Sequence, residues 1–157
     1  EARMNELQEA IYQVIISIFK NEFLTKKFKI HDECRGQKII ENSAIRYGIL
    51  NYVAKYSLAN DEYFISEKCF EYLTKQNLIT DKGLLRGKKG TKYKFTFEHP
   101  VPSNIIADLL LKNCTDEVKL KNILKETDIV TVLTYDEDEI LNKSKLTSKM
   151  PSGWQIF

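Results

Sequence analysis

The stretch that decides how this chain is read is KYKFTFEHPVPSNIIADLL, residues 92–110. Its first six residues alternate, with Lys92, Lys94 and Thr96 polar and Tyr93, Phe95 and Phe97 apolar. That period of two predicts a half-buried strand. From Pro102-Ser103 onward, Ile105, Ile106, Leu109 and Leu110 take helical spacing, with Ser103 as the expected cap. Between strand and helix stand Glu98-His99-Pro100. In a chain with two histidines, this acid–histidine pair is either an incidental polar strand end or half of a metal site.

Outward from that stretch the chain alternates further elements. Toward the C-terminus a short helix is expected over about 115–125, capped by Thr115. DIVTVLT (128–134) is β-branched and apolar almost throughout, and predicts a buried strand. DEDEILNKS (136–144) predicts a short helix whose acids sit at its positive end. Toward the N-terminus, residues 4–24 place Leu7, Ala10, Ile11, Val14, Ile15, Ile18 and Phe19 on one helical face. A second helix is expected over about 38–58, on Ile39, Ile40, Ala44, Tyr47, Leu50 and Ala54, with Gly48 a weakness in its middle. ANDEYFI (59–65) interrupts this pattern, and Ser66 then caps a third helix with Phe70 and Leu73 inward. GLLRG, a KKGT turn and KYKFTFE form an expected hairpin. The expected fold class is α+β: a mostly helical N-terminal part (4–80) and a C-terminal strand–helix unit (84–157), packed as one compact unit.

Composition bounds the possibilities. With 157 residues, 43% hydrophobic, 29% charged and 11% aromatic, the chain has the make-up of a globular domain with one core. No apolar run reaches the ~18 residues that span a bilayer, and AIYQVIISIF (10–19) is interrupted by Gln13 and Ser17. Met4 is the expected native start, and no secretory pattern follows it. Three widely spaced cysteines, Cys34, Cys69 and Cys114, argue against a disulfide framework and for the cytoplasm. His31 and Cys34 form an isolated pair without the second pair a structural zinc site needs.

The net charge of +2 does not by itself announce a nucleic-acid binder, but the charge is unevenly placed. DKGLLRGKKGTKYK (81–94) carries Arg86, Lys88, Lys89, Lys92 and Lys94, while Asp136 to Glu139 are four acids in succession. A phosphate-gripping surface beside a metal site shows this separation, and so do two unrelated solvated segments.

A one-metal nuclease needs oxygen ligands for a divalent cation, and a neutral histidine nearby to take a proton from the attacking water. FEHPVP (97–102) resembles the first signature of the HNH, or ββα-metal, endonucleases, in which a strand ends in an acid and a histidine. VLTYDEDEILNKSKLTSKMP (132–151) is similar to their second strand and helix, especially in the HNH domain of RNA-guided CRISPR nucleases. The resemblance covers residues 92–151. It implies that His99 is the general base and that Glu98 and Asn142 are ligands of Mg²⁺ or Mn²⁺, with Asp138 or Asp136 as a further ligand. Arg86, Lys88, Lys89, Lys92 and Lys94 would grip DNA. Pro100 directly after the histidine, the helices between the two strands, and the lack of zinc-binding cysteine pairs depart from the family pattern.

The expected function is therefore metal-dependent hydrolysis of DNA phosphodiesters, of a restriction or phage-defence type. The rival is a non-catalytic module: helix 66–77 followed by the basic hairpin also resembles a winged-helix DNA-binding unit, and helical surfaces could bind a protein. The first two helices leave a homodimer interface open.

Overall fold

The computed structural model describes residues 3–20, 44–84 and 92–156, with side chains from residue 47 onward in the second helix. The expected connection at 26–38, with His31 and Cys34, and the first turns of the second helix lie outside them.

The strand expected from DIVTVLT organises the sheet. β5 (Thr131–Thr134) is its central member, flanked by β1 (Phe64–Ile65), parallel to it, and β4 (Phe95–Glu98), antiparallel to it. Four residue pairs set the β4–β5 register: Phe95 with Thr134, Thr96 with Leu133, Phe97 with Val132, and Glu98 with Thr131. Alternate side chains leave a strand on opposite faces, so Phe95, Phe97 and Val132 share one face, and Thr96, Glu98, Thr131 and Leu133 share the other.

The Phe95 face is closed by α3 (Glu67–Lys75). Cys69, Leu73, Leu78, Phe95 and Val132 form one buried cluster, and Phe95 and Phe97 meet edge to face at 6.1 Å between ring centroids. Ser66 caps α3 as expected, its Oγ accepting the Cys69 N–H at 3.1 Å. The inward residue of the first turn is Cys69 rather than Phe70, which is exposed. α3 ends in a Schellman motif: the Asn77 N–H donates to the Thr74 carbonyl and the Leu78 N–H to the Leu73 carbonyl. That motif explains the positive φ of Asn77, which at 54° lies in the left-handed region where Asn is tolerated.

The second cluster is helical. α1 (Glu6–Lys20), α2 (Ala44–Leu58), α4 (Ser103–Lys112) and α5 (Glu117–Glu126) bury Tyr12, Ile15, Ile49, Val53, Ile106, Leu110, Leu120 and Ile123 among others. Each such side chain contributes about 1.5–3 kcal/mol by leaving water. Both clusters draw on the segments 4–80 and 84–157. The buried face of α1 is rotated from the expected one: Leu7, Ala10 and Val14 are exposed, and Gln8 points inward. Gln8 is accommodated because its Nε2 donates to the Tyr56 carbonyl (3.3 Å) and to Asp128 Oδ2 (2.9 Å). Asn60 Nδ2 donates to the same Asp128 oxygen at 3.1 Å.

Three local expectations are corrected. The strand residues Gly83-Leu84 (β3) pair with Ile79-Thr80 (β2), while β4 pairs with β5, so the expected GLLRG–KYKFTFE hairpin is not the pairing these strands adopt. The N-cap of α4 is Pro102 without a side-chain bond, and that of α5 is Asp116, whose Oδ1 accepts the Lys119 N–H. ANDEYFI supplies β1, because Phe64 and Ile65 complete the ladder on the open edge of β5. Among the described residues no helix is long and apolar enough to cross a membrane.

Candidate functional site

α6 (Tyr135–Lys143) follows β5 directly and folds back over the second sheet face, touching both β4 and β5. Thr134-x-x-Glu137 is a capping box that fixes where this helix begins, one residue ahead of the acid run from which the helix was expected. Glu137 Oε2 accepts the Thr134 N–H (2.9 Å), the Thr134 hydroxyl (3.1 Å) and the Ser66 hydroxyl (2.7 Å). Burial pushes the Glu137 carboxyl up. The Thr134 N–H, the two hydroxyls and the nearby Lys68 outweigh it and hold the group below its usual range.

With α6 started there, Asp138 comes down over the last residue of β4. Its carboxyl group faces that of Glu98. Burial first, then the hydrogen bond and the negative charge of Asp138, push the Glu98 carboxyl up to about 7. Asp138 Oδ1 is buried and receives no N–H or alcohol donor from the described residues, while Asn142 Nδ2 donates to Asp138 Oδ2 at 3.3 Å. Two facing carboxylates without a donor between them hold either a proton or a cation. Asn142 reaches this pair through Asp138, one helical turn away, and Asp136 instead lies 3.7 Å from Lys68 at the exposed end of the helix. Glu98, Asp138 and Asn142 are thus brought together, and Asp136 is not among them.

His99 goes elsewhere. Past the end of β4 its ring turns to α2 and donates to the Ala54 carbonyl. Its Nε2 is buried without a partner. Burial lowers its pKa, and the Ala54 contact only partly offsets that, so the ring is neutral at pH 7. Nothing in the sequence pointed to Ala54 as its anchor.

Between this sheet face, α6 and the following tail lies a cavity of about 510 Å³. Glu98 and His99 border it together with Leu133, Ile140, Leu146 and Met150. The tail returns over the cavity because α6 ends in a second Schellman motif, with the Lys145 N–H on the Asn142 carbonyl and the Leu146 N–H on the Leu141 carbonyl. Lys145 accordingly has a φ of 59°. The sequence showed no periodicity after Lys145, which is why this wall was missed.

Of the basic residues, Lys92 lies on the surface with its Nζ 5.3 Å from the Tyr93 ring centroid. Lys94 is exposed, its backbone N–H bound to the Tyr72 hydroxyl at 2.9 Å. Arg86, Lys88 and Lys89 lie outside the described residues. Among the described residues no three His, Cys, Asp or Glu side chains gather around one point. Magnesium does not require such a cage: one or two carboxylates suffice, the remaining positions being water.

No family model, no curated protein and no solved structure matches this chain.

Proposed function

We propose that the chain is a metal-dependent endonuclease of HNH-like design, hydrolysing DNA phosphodiesters at the Glu98–Asp138 pair. The observation that carries the reading is the facing of Glu98 and Asp138, whose Oδ1 is buried and receives no N–H or alcohol donor from the described residues. Without metal the pair is held by a shared proton, and a divalent cation would take that proton's place between the two carboxylates. Mg²⁺ or Mn²⁺, when bound, would polarise a phosphoryl oxygen and stabilise the departing alkoxide.

The chain's own residues take the remaining roles. Glu98 and Asp138 supply the anionic ligands, and Asn142 holds Asp138 in place through Oδ2 while its amide oxygen stays available as an acceptor. His99, kept neutral by burial and bordering the same cavity as Glu98, is the general base of this reading once its ring turns from α2 toward the pair. Lys92 and Lys94, on the approach to β4, contact phosphates of the DNA backbone.

The test is cleavage of supercoiled and linear DNA by wild type, His99→Ala and Asp138→Asn in Mg²⁺, in Mn²⁺ and with chelator. Metal-dependent cutting that both substitutions abolish is expected. Cutting that survives in both variants, or no cutting in any metal, overturns the reading. In the second case, salt-sensitive DNA binding would favour the non-catalytic winged-helix module instead.

A further inference from the structure

A metal-bound phosphate explains the polar end of the site but not the wall beside it. The cavity next to Glu98 is bounded by Leu133, Ile140, Leu146 and Met150. Its volume of about 510 Å³ falls within the ~300–1,000 Å³ typical of small-molecule pockets. Phosphates are recognised by cationic and N–H donors, and among the described residues Lys149 is the one lysine or arginine bordering the cavity. A DNA duplex presents charged backbone outward and keeps its bases stacked inside, so it has nothing to place against an apolar wall. An unpaired nucleotide does: bases taken out of the stack are held between apolar or aromatic side chains and read along their polar edges.

Resting on the nuclease reading, we infer that the cavity receives the base of an unpaired nucleotide next to the scissile phosphate, making single-stranded DNA the preferred substrate. Continuity and charge both fit. Glu98 belongs at once to the carboxylate pair and to the cavity border, so a phosphate at the pair places its neighbouring base at the cavity mouth. Lys149 stands on the same border for the flanking phosphate, and Thr131 and Glu137 put polar groups on the wall for the base edges. The walls also have room to receive a base. α6 has no fully buried residue, and Ile140 and Leu146 are 63% and 36% exposed, so this sheet face is incompletely covered by the chain itself.

The test uses the full chain and a short oligodeoxynucleotide carrying one 2-aminopurine, whose fluorescence rises on unstacking, presented single-stranded and as a duplex in Ca²⁺. The single strand is expected to bind at least about tenfold tighter, the scale set by taking one base out of water against aliphatic side chains. Ile140→Trp fills the cavity from an exposed helix position and should abolish that preference, and Lys149→Glu should weaken single-strand binding. Equal affinity for both forms, a preference untouched by Ile140→Trp, or no binding of either form overturns the inference. Mn²⁺ binding, followed by its spin resonance without DNA, separates the two ideas. Mn²⁺ bound with no single-strand preference removes this inference alone, and no Mn²⁺ bound removes the metal site with it.

Discussion

Replacing Glu98 by Gln should stabilise the protein at alkaline pH, and it does so through a calculable route. The Glu98 carboxyl is raised from its ordinary 4.5 to about 7 by burial and by Asp138. Between those values the folded state holds a proton that the unfolded chain has released. The contribution of this group is therefore fully present below 4.5 and lost as pH rises through about 7. Taken at face value the shift amounts to about 3 kcal/mol. Because Glu98 is only half-buried, solvent screening leaves roughly 1 kcal/mol.

Gln at this position donates its amide to Asp138 at every pH. At pH 8 the variant should gain about 1 kcal/mol, a rise of about 2–4 °C in Tm for a chain of this size; below pH 4.5 the two proteins should converge. His99 titrates with the opposite sense: its lowered pKa contributes stability that is present above 6.5 and lost as pH falls through the folded value. The difference between variant and wild type, taken point by point in thermal melts from pH 4 to 9, cancels that background. Adding Mn²⁺ at pH 8 should then raise the Tm of wild type and not of the variant. A variant less stable than wild type at pH 8, with an unchanged pH profile, would refute the facing-carboxylate geometry.

Other substitutions probe the supports. Glu137→Ala leaves the Thr134 N–H and the Ser66 and Thr134 hydroxyls without their shared acceptor, and should cost about 1–2 kcal/mol in denaturant melts. Because the Glu137 pKa is depressed, that deficit should shrink as pH falls from the ordinary 4.5 through the lower folded value in the same melts. Asp128→Ala removes the acceptor that Gln8 and Asn60 share and should cost about 2 kcal/mol; a loss below a few tenths would mean the polar clamp is dispensable. Cys69 is fully buried with its thiol pushed up to about 11 by burial and by Glu137, so thiol reagents should reach it only at the rate of unfolding. Rapid labelling of Cys69 in the native protein would contradict that packing.

Much of the element order was legible because it rests on local signals. The acid run at the start of 136–144, the Ser66 cap and the β-branched run before Thr134 each dictate structure within a few residues. Which carboxylate meets Glu98 was not legible, since Asp136 and Asp138 look alike in one dimension. Only the helix start at Thr134, together with the strand register, turns Asp138 toward the sheet and leaves Asp136 beside Lys68. The rotated face of α1 escaped for a similar reason. Apolar spacing alone cannot anticipate that Gln8 finds a carbonyl and a carboxylate from distant segments. The divergence of Glu98 and His99 followed from Glu98 remaining in the ladder, opposite Thr131, while His99 lies beyond it.

The register of β4 against β5 also sets how this chain tolerates insertions and deletions. One residue gained or lost within 95–98 would exchange the two faces of the strand. It would carry Glu98 into the greasy space beneath α3 and bring Phe97 out toward Asp138. Length changes in the connections leave that parity untouched. Drift in this sequence should therefore spare four paired positions and let the loops between them vary, because a shift by one residue both separates Glu98 from Asp138 and buries a carboxylate beneath α3.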